Sequence, residues 1–202
     1  MQLTRARILD AALSILDEYG LSDLTMRRLA RHLEVAPGAV YWHVAHKQEL
    51  IALVAQKIVE PALLPAAEPA EDARAGRASA PPLPTPQEWC EQLRNLLLAH
   101  RDGAELVAAA TAMSSLREDL HATVMWILAS AFPQLSEAER HHGAMTIVHY
   151  MLGAVVLEQS ANQARELSPA EGSVSLAEDI DTARGVEIIL TGLRQLSETS
   201  PA

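Results

Sequence analysis

Apolar residues recur at intervals of three and four along most of this chain, the spacing that places them on one face of an α-helix. In the first such segment they are Ile8, Ala11, Ala12, Ile15 and Leu16, and Gly20 follows where a helix would end. The sequence lacks the alternation of polar and apolar residues and the β-branched runs that would indicate strands. The pattern therefore predicts an all-α fold.

Three more helices are predicted in the first third of the chain. A short one is expected at residues 25–33, and Pro37 is well placed as the first residue of another, because that position needs no backbone N–H. A fourth is predicted over residues 47–64. Residues 65–86 are rich in Pro and Ala with little to bury, so we expect a flexible connection there.

Helix-start signals continue in the second part of the chain. Thr85 and Glu88 have the spacing of a capping box, which predicts a fifth helix running to Arg101, with Gly103 ending it or turning the chain. Further starts are predicted at two serines followed by acidic residues, Ser115 and Ser136. The helix after Ser136 is expected to reach about Gln163, and a last amphipathic helix is predicted over residues 176–196.

Composition limits the class of protein. The chain has 202 residues, 49% of them hydrophobic, which is enough to form a core without disulfides. Its single cysteine, Cys90, is expected to be a small buried apolar residue rather than a nucleophile. No apolar run approaches the ~18 residues of a membrane helix, and the N-terminus lacks a signal-peptide pattern. We therefore expect a cytoplasmic protein with no membrane contact.

The segment "LTMRRLARHLEVAPGAVYWHVAHKQEL" places two short helices around a tight turn, the geometry of a helix-turn-helix whose second helix enters a DNA major groove. The formal net charge of −10 opposes DNA binding on average. However, residues 1–60 contain as many basic as acidic residues, and residues 21–47 have a basic excess. A local basic surface on an acidic protein is consistent with DNA binding.

The same residues resemble a known family. Residues 9–53 are similar to the DNA-binding domain of the tetracycline-repressor (TetR) family, and "YWHV" followed by a lysine is especially like the tetracycline repressors. "HRDGAEL" and "YMLGAVVLEQ" resemble segments of that subfamily's ligand-binding domain. The resemblance implies a helix-turn-helix DNA-binding domain, a connecting helix, and a larger ligand-binding and dimerisation domain. With the flexible segment, the expected boundaries are 1–46, 47–64, 65–86 and 87–202.

The resemblance also implies which residues face DNA. Tyr41 and Lys47 are expected to contact phosphates, Trp42 and His43 to lie against the backbone or base edges, and Arg27 to reach a base or phosphate. The remaining candidates begin the two helices: Thr25, Pro37, Gly38 and Ala39. This chain departs from the tetracycline repressors at 37–39, where no side chain can hydrogen-bond a base. Direct recognition of bases by residues 37–39 is then limited to contact between the Ala39 methyl group and a thymine methyl group. We therefore expect an operator that differs from that of the tetracycline repressors.

For a small-molecule effector we expect a pocket in the second domain that combines apolar walls with a few polar groups. The candidate residues are His100, Val107, Thr111, Met125, Trp126, His149 and Glu158. Val107 and Leu63 stand where tetracycline repressors place histidines that help to hold magnesium–tetracycline. That ligand is therefore not expected, and a more apolar effector is. We expect no metal and no cofactor.

Several alternatives remain open at this point. An extra residue between Gly153 and Glu158 leaves the direction of the Glu158 side chain undetermined, and His141, His142 and His149 are a weak candidate for a metal site without nearby carboxylates. The resemblance implies a homodimer that represses at a palindromic operator and is released when the effector shifts the fourth helix. An activator, a ligand-independent regulator and an interaction module without DNA affinity are the alternatives. An enzyme is not expected, because no nucleophile–base or carboxylate pair is apparent.

Overall fold

The computed structural model describes residues 3–64, 82–167 and 181–199. Within these ranges the chain forms nine α-helices and no strand, so the predicted all-α fold is confirmed. In chain order the helices are α1 Arg5–Tyr19, α2 Met26–His32, α3 Pro37–Tyr41, α4 Lys47–Val59, α5 Pro86–Leu98, α6 Gly103–Thr111, α7 Leu116–Ala131, α8 Glu137–Leu167 and α9 Thr182–Thr199.

The first helix follows its sequence signals closely. Thr4 caps α1 by accepting a hydrogen bond from the Arg7 backbone N–H at 3.3 Å. All five apolar residues of the predicted face are buried, and α1 ends at Gly20, whose φ of 84° lies in the region that favours glycine. Thr25 caps α2 in the same way, and Pro37 is the first residue of α3.

Two helix ends differ from the prediction. The fourth helix is predicted to reach residue 64, but α4 ends at Val59 and a 3-10 turn over Glu60–Ala62 follows, because Pro61 cannot continue an α-helical ladder. The fifth helix is predicted to reach Arg101, but α5 ends at Leu98. Gly103 does not end that helix. It begins α6, after a turn in which Asp102 is left-handed with φ 54°.

The predicted capping box is present, and a second one forms at the predicted start after Ser136. Thr85 and Glu88 exchange hydrogen bonds at the start of α5, and Ser136 and Glu139 do so at the start of α8. α7 begins directly after Ser115 as predicted, and α8 extends a turn beyond Gln163. The last helix is predicted over residues 176–196, but α9 begins at Thr182, after Asp181 as its cap, and ends at Thr199. Residues 65–81 of the predicted flexible segment and residues 176–180 lie outside the described residues.

The described helices share one hydrophobic core. α2 and α3 pack together, α1 packs on α4, and α4 lies along α6, so the first domain rests on the second. In the second domain α8 contacts α5, α6, α7 and α9. None of the helices in the described ranges is long and apolar enough to span a membrane. The long α8 therefore packs against every other helix of the second domain.

Candidate DNA-binding surface and effector cavity

The turn between α2 and α3 fixes the angle of the second helix. Glu34 adopts a left-handed conformation with φ 55°, and the Val35 backbone N–H donates to the Ala30 carbonyl at 3.0 Å. Val40 on α3 and Val44 just after it are fully buried, so the inner side of α3 is anchored in the core. The rest of this short helix faces outward.

The predicted DNA-contacting residues do not fill the core. Trp42 is 89% exposed and Tyr41 is 50% exposed, although burying either ring would stabilise a small domain. His43, Arg27, Pro37 and Gly38 are also exposed, while Ala39 and Lys47 are half-buried. The structure therefore gives these side chains no packing role that accounts for them.

Free basic side chains surround this surface. Arg28 is engaged by Asp23 at 2.6 Å and lies over the Tyr19 ring. By contrast, Arg27, Arg31 and Lys47 form no ion pair with any described residue. Cations without an internal partner on the outer side of a helix-turn-helix are suited to phosphate contacts.

A cavity of about 590 Å³ lies between α5, α8 and the start of α9. This volume is in the range of small-molecule sites. Apolar and polar side chains share its walls, which are lined by Gln87, Cys90, Glu91, Arg94, Met151, Asp181, Thr182, Ala183 and Val186. Burial raises the pKa of the Cys90 thiol to about 12, so this residue lines the cavity as a protonated, unreactive group, as its sequence context predicted.

An ion pair holds one lining residue of the cavity, Arg94, in place. The Arg94 Nε donates to Glu158 Oε2 at 2.9 Å, and a second guanidinium nitrogen donates to Glu158 Oε1, so the pair is bidentate. The Thr182 hydroxyl also donates to Glu158 Oε2, at 3.4 Å. The structure thus resolves the direction of Glu158, which points to the cavity wall.

Arg94 was not among the predicted residues. Its only signal in the sequence is its position four residues after Cys90, on the edge of the apolar face of α5. Its partner is 64 residues away in the chain, and only the packing of α5 on α8 brings the two together.

The other predicted ligand residues are not gathered at this cavity. Val107 is part of the core, Thr111 donates to the Ala108 carbonyl of its own helix, and Met125 is half-buried. Trp126 and His149 are exposed. No group of three or more metal-ligating side chains comes together within the described residues.

His100 lies instead at the joint between the domains. Its Nδ1 is 3.0 Å from an Asp17 carboxylate oxygen on α1. Two residues later, the Asp102 carboxylate accepts from the Leu21 backbone N–H at 2.8 Å and from the Gln163 side chain at 2.6 Å. The "HRDGAEL" segment therefore links the first domain directly to α8.

α8 holds this joint at a second point. The Gln159 side chain donates to the His100 carbonyl at 2.8 Å and accepts from the Ala104 backbone N–H at 3.1 Å. Gln159 follows Glu158 in the chain, so neighbouring residues of one helix contact the cavity wall and the interdomain joint. The backbone of α8 therefore connects the hydrogen bonds at the cavity wall to those at the joint.

This architecture is that of a DNA-binding regulator with a separate helical sensor domain. Two family models match the chain: "Bacterial regulatory proteins, tetR family" over residues 8–54, and "Tetracyclin repressor-like, C-terminal domain" over residues 86–184. The chain belongs to the TetR family. Members of this family are transcriptional regulators and not enzymes.

Individual relatives agree with this assignment. The chain is 33% identical over 162 residues to the tetracycline repressor protein class E of Escherichia coli, covering 77% of this chain and 69% of the relative. The structure of Mycobacterium smegmatis BioQ matches with a TM-score of 0.72 at 36% identity, covering 95% of this chain and 98% of BioQ. Apo ActR of Streptomyces coelicolor matches with a TM-score of 0.73 at 26% identity, covering 100% and 99%.

Proposed function

We propose that this protein is a homodimeric transcriptional repressor that binds a palindromic operator and is released by a small effector with an apolar body. The observation that carries the proposal is that α8 bonds to the cavity wall through Glu158 and, through Gln159 and Gln163, to the segment that contacts the first domain. The proposed boundaries are a DNA-binding domain at 1–46, a connecting helix at 47–64, a linking segment at 65–86 and a sensor and dimerisation domain at 87–202.

In the proposed DNA complex, α3 lies in the major groove. Tyr41 and Lys47 contact phosphates, and Arg27 at the start of α2 reaches a phosphate or a base. Trp42 and His43 lie against the backbone or base edges, while Thr25, Pro37, Gly38 and Ala39 bring the helix starts close to DNA. BioQ, which is 36% identical to this chain, has been crystallised with its double-stranded DNA operator, which supports the same mode of binding here.

Dimerisation is proposed through α8 and α9. Their outer faces expose large apolar side chains, among them Leu157 at 62% and Ile188 at 64%. Gly153 and Gly192 have open space where a Cβ would project, so a partner helix has room to approach closely. Two α8–α9 pairs would form a four-helix bundle and set the recognition helices about 34–36 Å apart. Leu157→Glu is expected to give a monomer in analytical ultracentrifugation, whereas Glu105→Gln, at an exposed position of α6, is not.

Effector release is proposed to act through the joint at Asp102. A ligand that fills the cavity between α5 and α8 would shift α8, and with it Gln159 and Gln163. The hydrogen bond between Asp102 and Leu21 would then change, reorienting the helix-turn-helix relative to α8. Each tenfold loss of operator affinity requires about 1.4 kcal/mol of difference in ligand binding between the two states. The relative ActR has been crystallised with actinorhodin, which supports small-molecule control.

The test is fluorescence anisotropy with labelled DNA from the region flanking the protein's own gene, at two salt concentrations. Tight, salt-dependent binding to a palindrome is expected, followed by release with an apolar compound from a small-molecule panel. Arg27→Ala/Lys47→Ala is expected to lose most of the affinity, and Glu105→Gln serves as the folded control. If the wild-type protein binds this DNA no better than unrelated sequence, the proposal is wrong and an interaction module without DNA affinity becomes the better hypothesis.

A further inference from the structure

The charges around the cavity point to the chemical class of its ligand. We infer that the cavity between α5, α8 and α9 selects an organic cation, a compound with a positively charged group on an apolar body. This inference rests on the proposed effector function and names the charge that the effector carries.

Two exposed carboxylates line this cavity without a cationic side-chain partner among the described residues. Glu91 on α5 makes no ion pair or hydrogen bond with a described residue. Asp181 accepts from the Arg184 backbone N–H at 2.8 Å, which caps α9 but leaves the carboxylate charged. The Arg184 guanidinium is paired with Glu187 instead. The end of the α9 dipole offsets part of the Asp181 charge, whereas nothing in the described residues offsets that of Glu91.

The only guanidinium in the cavity wall among the described residues is already neutralised. Arg94 is held by both oxygens of Glu158, whose side chain is only 10% exposed. An anionic ligand that captured Arg94 would leave the Glu158 charge buried and unpaired, which is strongly unfavourable. Counting the described lining residues, the cavity therefore has an excess of two negative charges, which favours a cation and disfavours an anion.

The remaining walls suit an apolar body. Cys90 and Val186 are buried apolar side chains that face the cavity from α5 and α9, and Met151 faces it from α8. Methionine adapts to ligands of irregular shape and its polarisable sulfur contacts aromatic rings favourably. A volume of about 590 Å³ accommodates a compound with several rings. Charge and shape together match an amphipathic amine or onium ion.

The inference is tested with probes that differ in charge and little else. Tetraphenylphosphonium and tetraphenylborate carry the same four phenyl groups around a cationic or an anionic centre. Benzyltrimethylammonium and neopentylbenzene form a smaller pair, one cationic and one neutral. Binding to the full-length protein without DNA is measured by isothermal titration calorimetry. We expect the phosphonium to bind at least about tenfold more tightly than the borate, and the ammonium more tightly than its neutral counterpart.

Matched variants locate the site. Glu91→Gln/Asp181→Asn removes both charges with little change in shape, and asparagine retains the helix cap. We expect this variant to lose about tenfold in phosphonium affinity, since each partly exposed charge contributes a modest attraction. Glu105→Gln removes an exposed carboxylate on α6 and controls for general attraction to an acidic protein. Circular dichroism and thermal melting check that all variants are folded.

Equal binding of phosphonium and borate, no binding of either onium ion at millimolar concentration, or an equal loss in Glu105→Gln would overturn the inference. Operator release is measured separately by anisotropy with the same probes. A cation that binds with the expected charge dependence but leaves the operator bound would contradict the proposed effector function and not the preference of the cavity. Charge-dependent binding together with release supports both.

Discussion

The side chains of the proposed DNA-binding surface project away from the protein, whereas those of the cavity are bonded to one another. Trp42 is almost fully exposed, and Arg27 and Lys47 form no ion pair within the described residues. Arg94 and Glu158, in contrast, form a bidentate pair that also receives a hydrogen bond from Thr182. The side chains of the DNA-binding surface are therefore available to contact a partner molecule, whereas those of the cavity wall stabilise the folded protein.

This difference predicts how function and stability are coupled. A substitution on the DNA-binding surface is expected to change DNA affinity and leave stability nearly unchanged, because exposed residues contribute little to folding. A substitution at the cavity is expected to change both. The joint at Asp102 lies between these cases, since it is a structural contact that the proposed mechanism also uses.

The largest effect is expected from breaking the cavity pair. Arg94→Met leaves the Glu158 carboxylate buried without its partner, which should lower the free energy of unfolding by about 2–3 kcal/mol. Replacing both residues, as Arg94→Met/Glu158→Leu, removes the unpaired charge and should recover most of the loss. Urea denaturation of the wild type, these two variants and Glu158→Leu alone forms a double-mutant cycle. If Arg94→Met were as stable as the wild type, the ion pair at the cavity wall would not contribute to the stability of the fold.

A smaller loss is expected at the joint from Gly20→Ala. Gly20 has a φ of 84°, and an added Cβ would lie 2.6 Å from Asp102 Oδ2, so both backbone strain and a close contact oppose the change. We expect a destabilisation of about 2 kcal/mol, measured by thermal and urea unfolding. Asp102→Ala alone loses two hydrogen bonds, but in combination it removes the close contact, so the double variant should lose less stability than the sum of the two single losses. Strictly additive losses would show that Gly20 and Asp102 do not interact.

On the DNA-binding surface, Arg27→Ala and Lys47→Ala are each expected to lower operator affinity by about tenfold, or 1.4 kcal/mol. Stability should change by less than about 0.5 kcal/mol. The slope of log affinity against log salt should fall by about 0.9 for each phosphate that the protein no longer neutralises. Anisotropy titrations at several salt concentrations measure both quantities. An unchanged slope would show that the substituted residue does not contact a DNA phosphate.

The same contrast determines what the sequence could predict. The helix-turn-helix was predictable because its signals are local: Thr25 caps α2, Pro37 begins α3, and the exposed aromatic and basic residues lie within one short segment. The cavity was not, because Arg94, Glu158 and Asp181 come from three helical regions that are distant in the chain. Of the predicted ligand residues, only Glu158 reaches the cavity wall, since helical periodicity identifies an apolar face but not the helix that packs against it.

The smallest effect, and the sharpest test of the contrast, is expected from Gly38→Ala. An added Cβ at Gly38 meets nothing within 4 Å, and alanine is the better helix former, so stability should rise by about 0.5 kcal/mol. Operator affinity should fall at the same time, because the new methyl group would occupy the space between α3 and the groove. Urea unfolding and anisotropy on one preparation measure the expected rise in stability and the expected fall in operator affinity. A stability gain with unchanged operator affinity would mean that the start of α3 does not approach DNA, and the recognition surface would then begin at Tyr41.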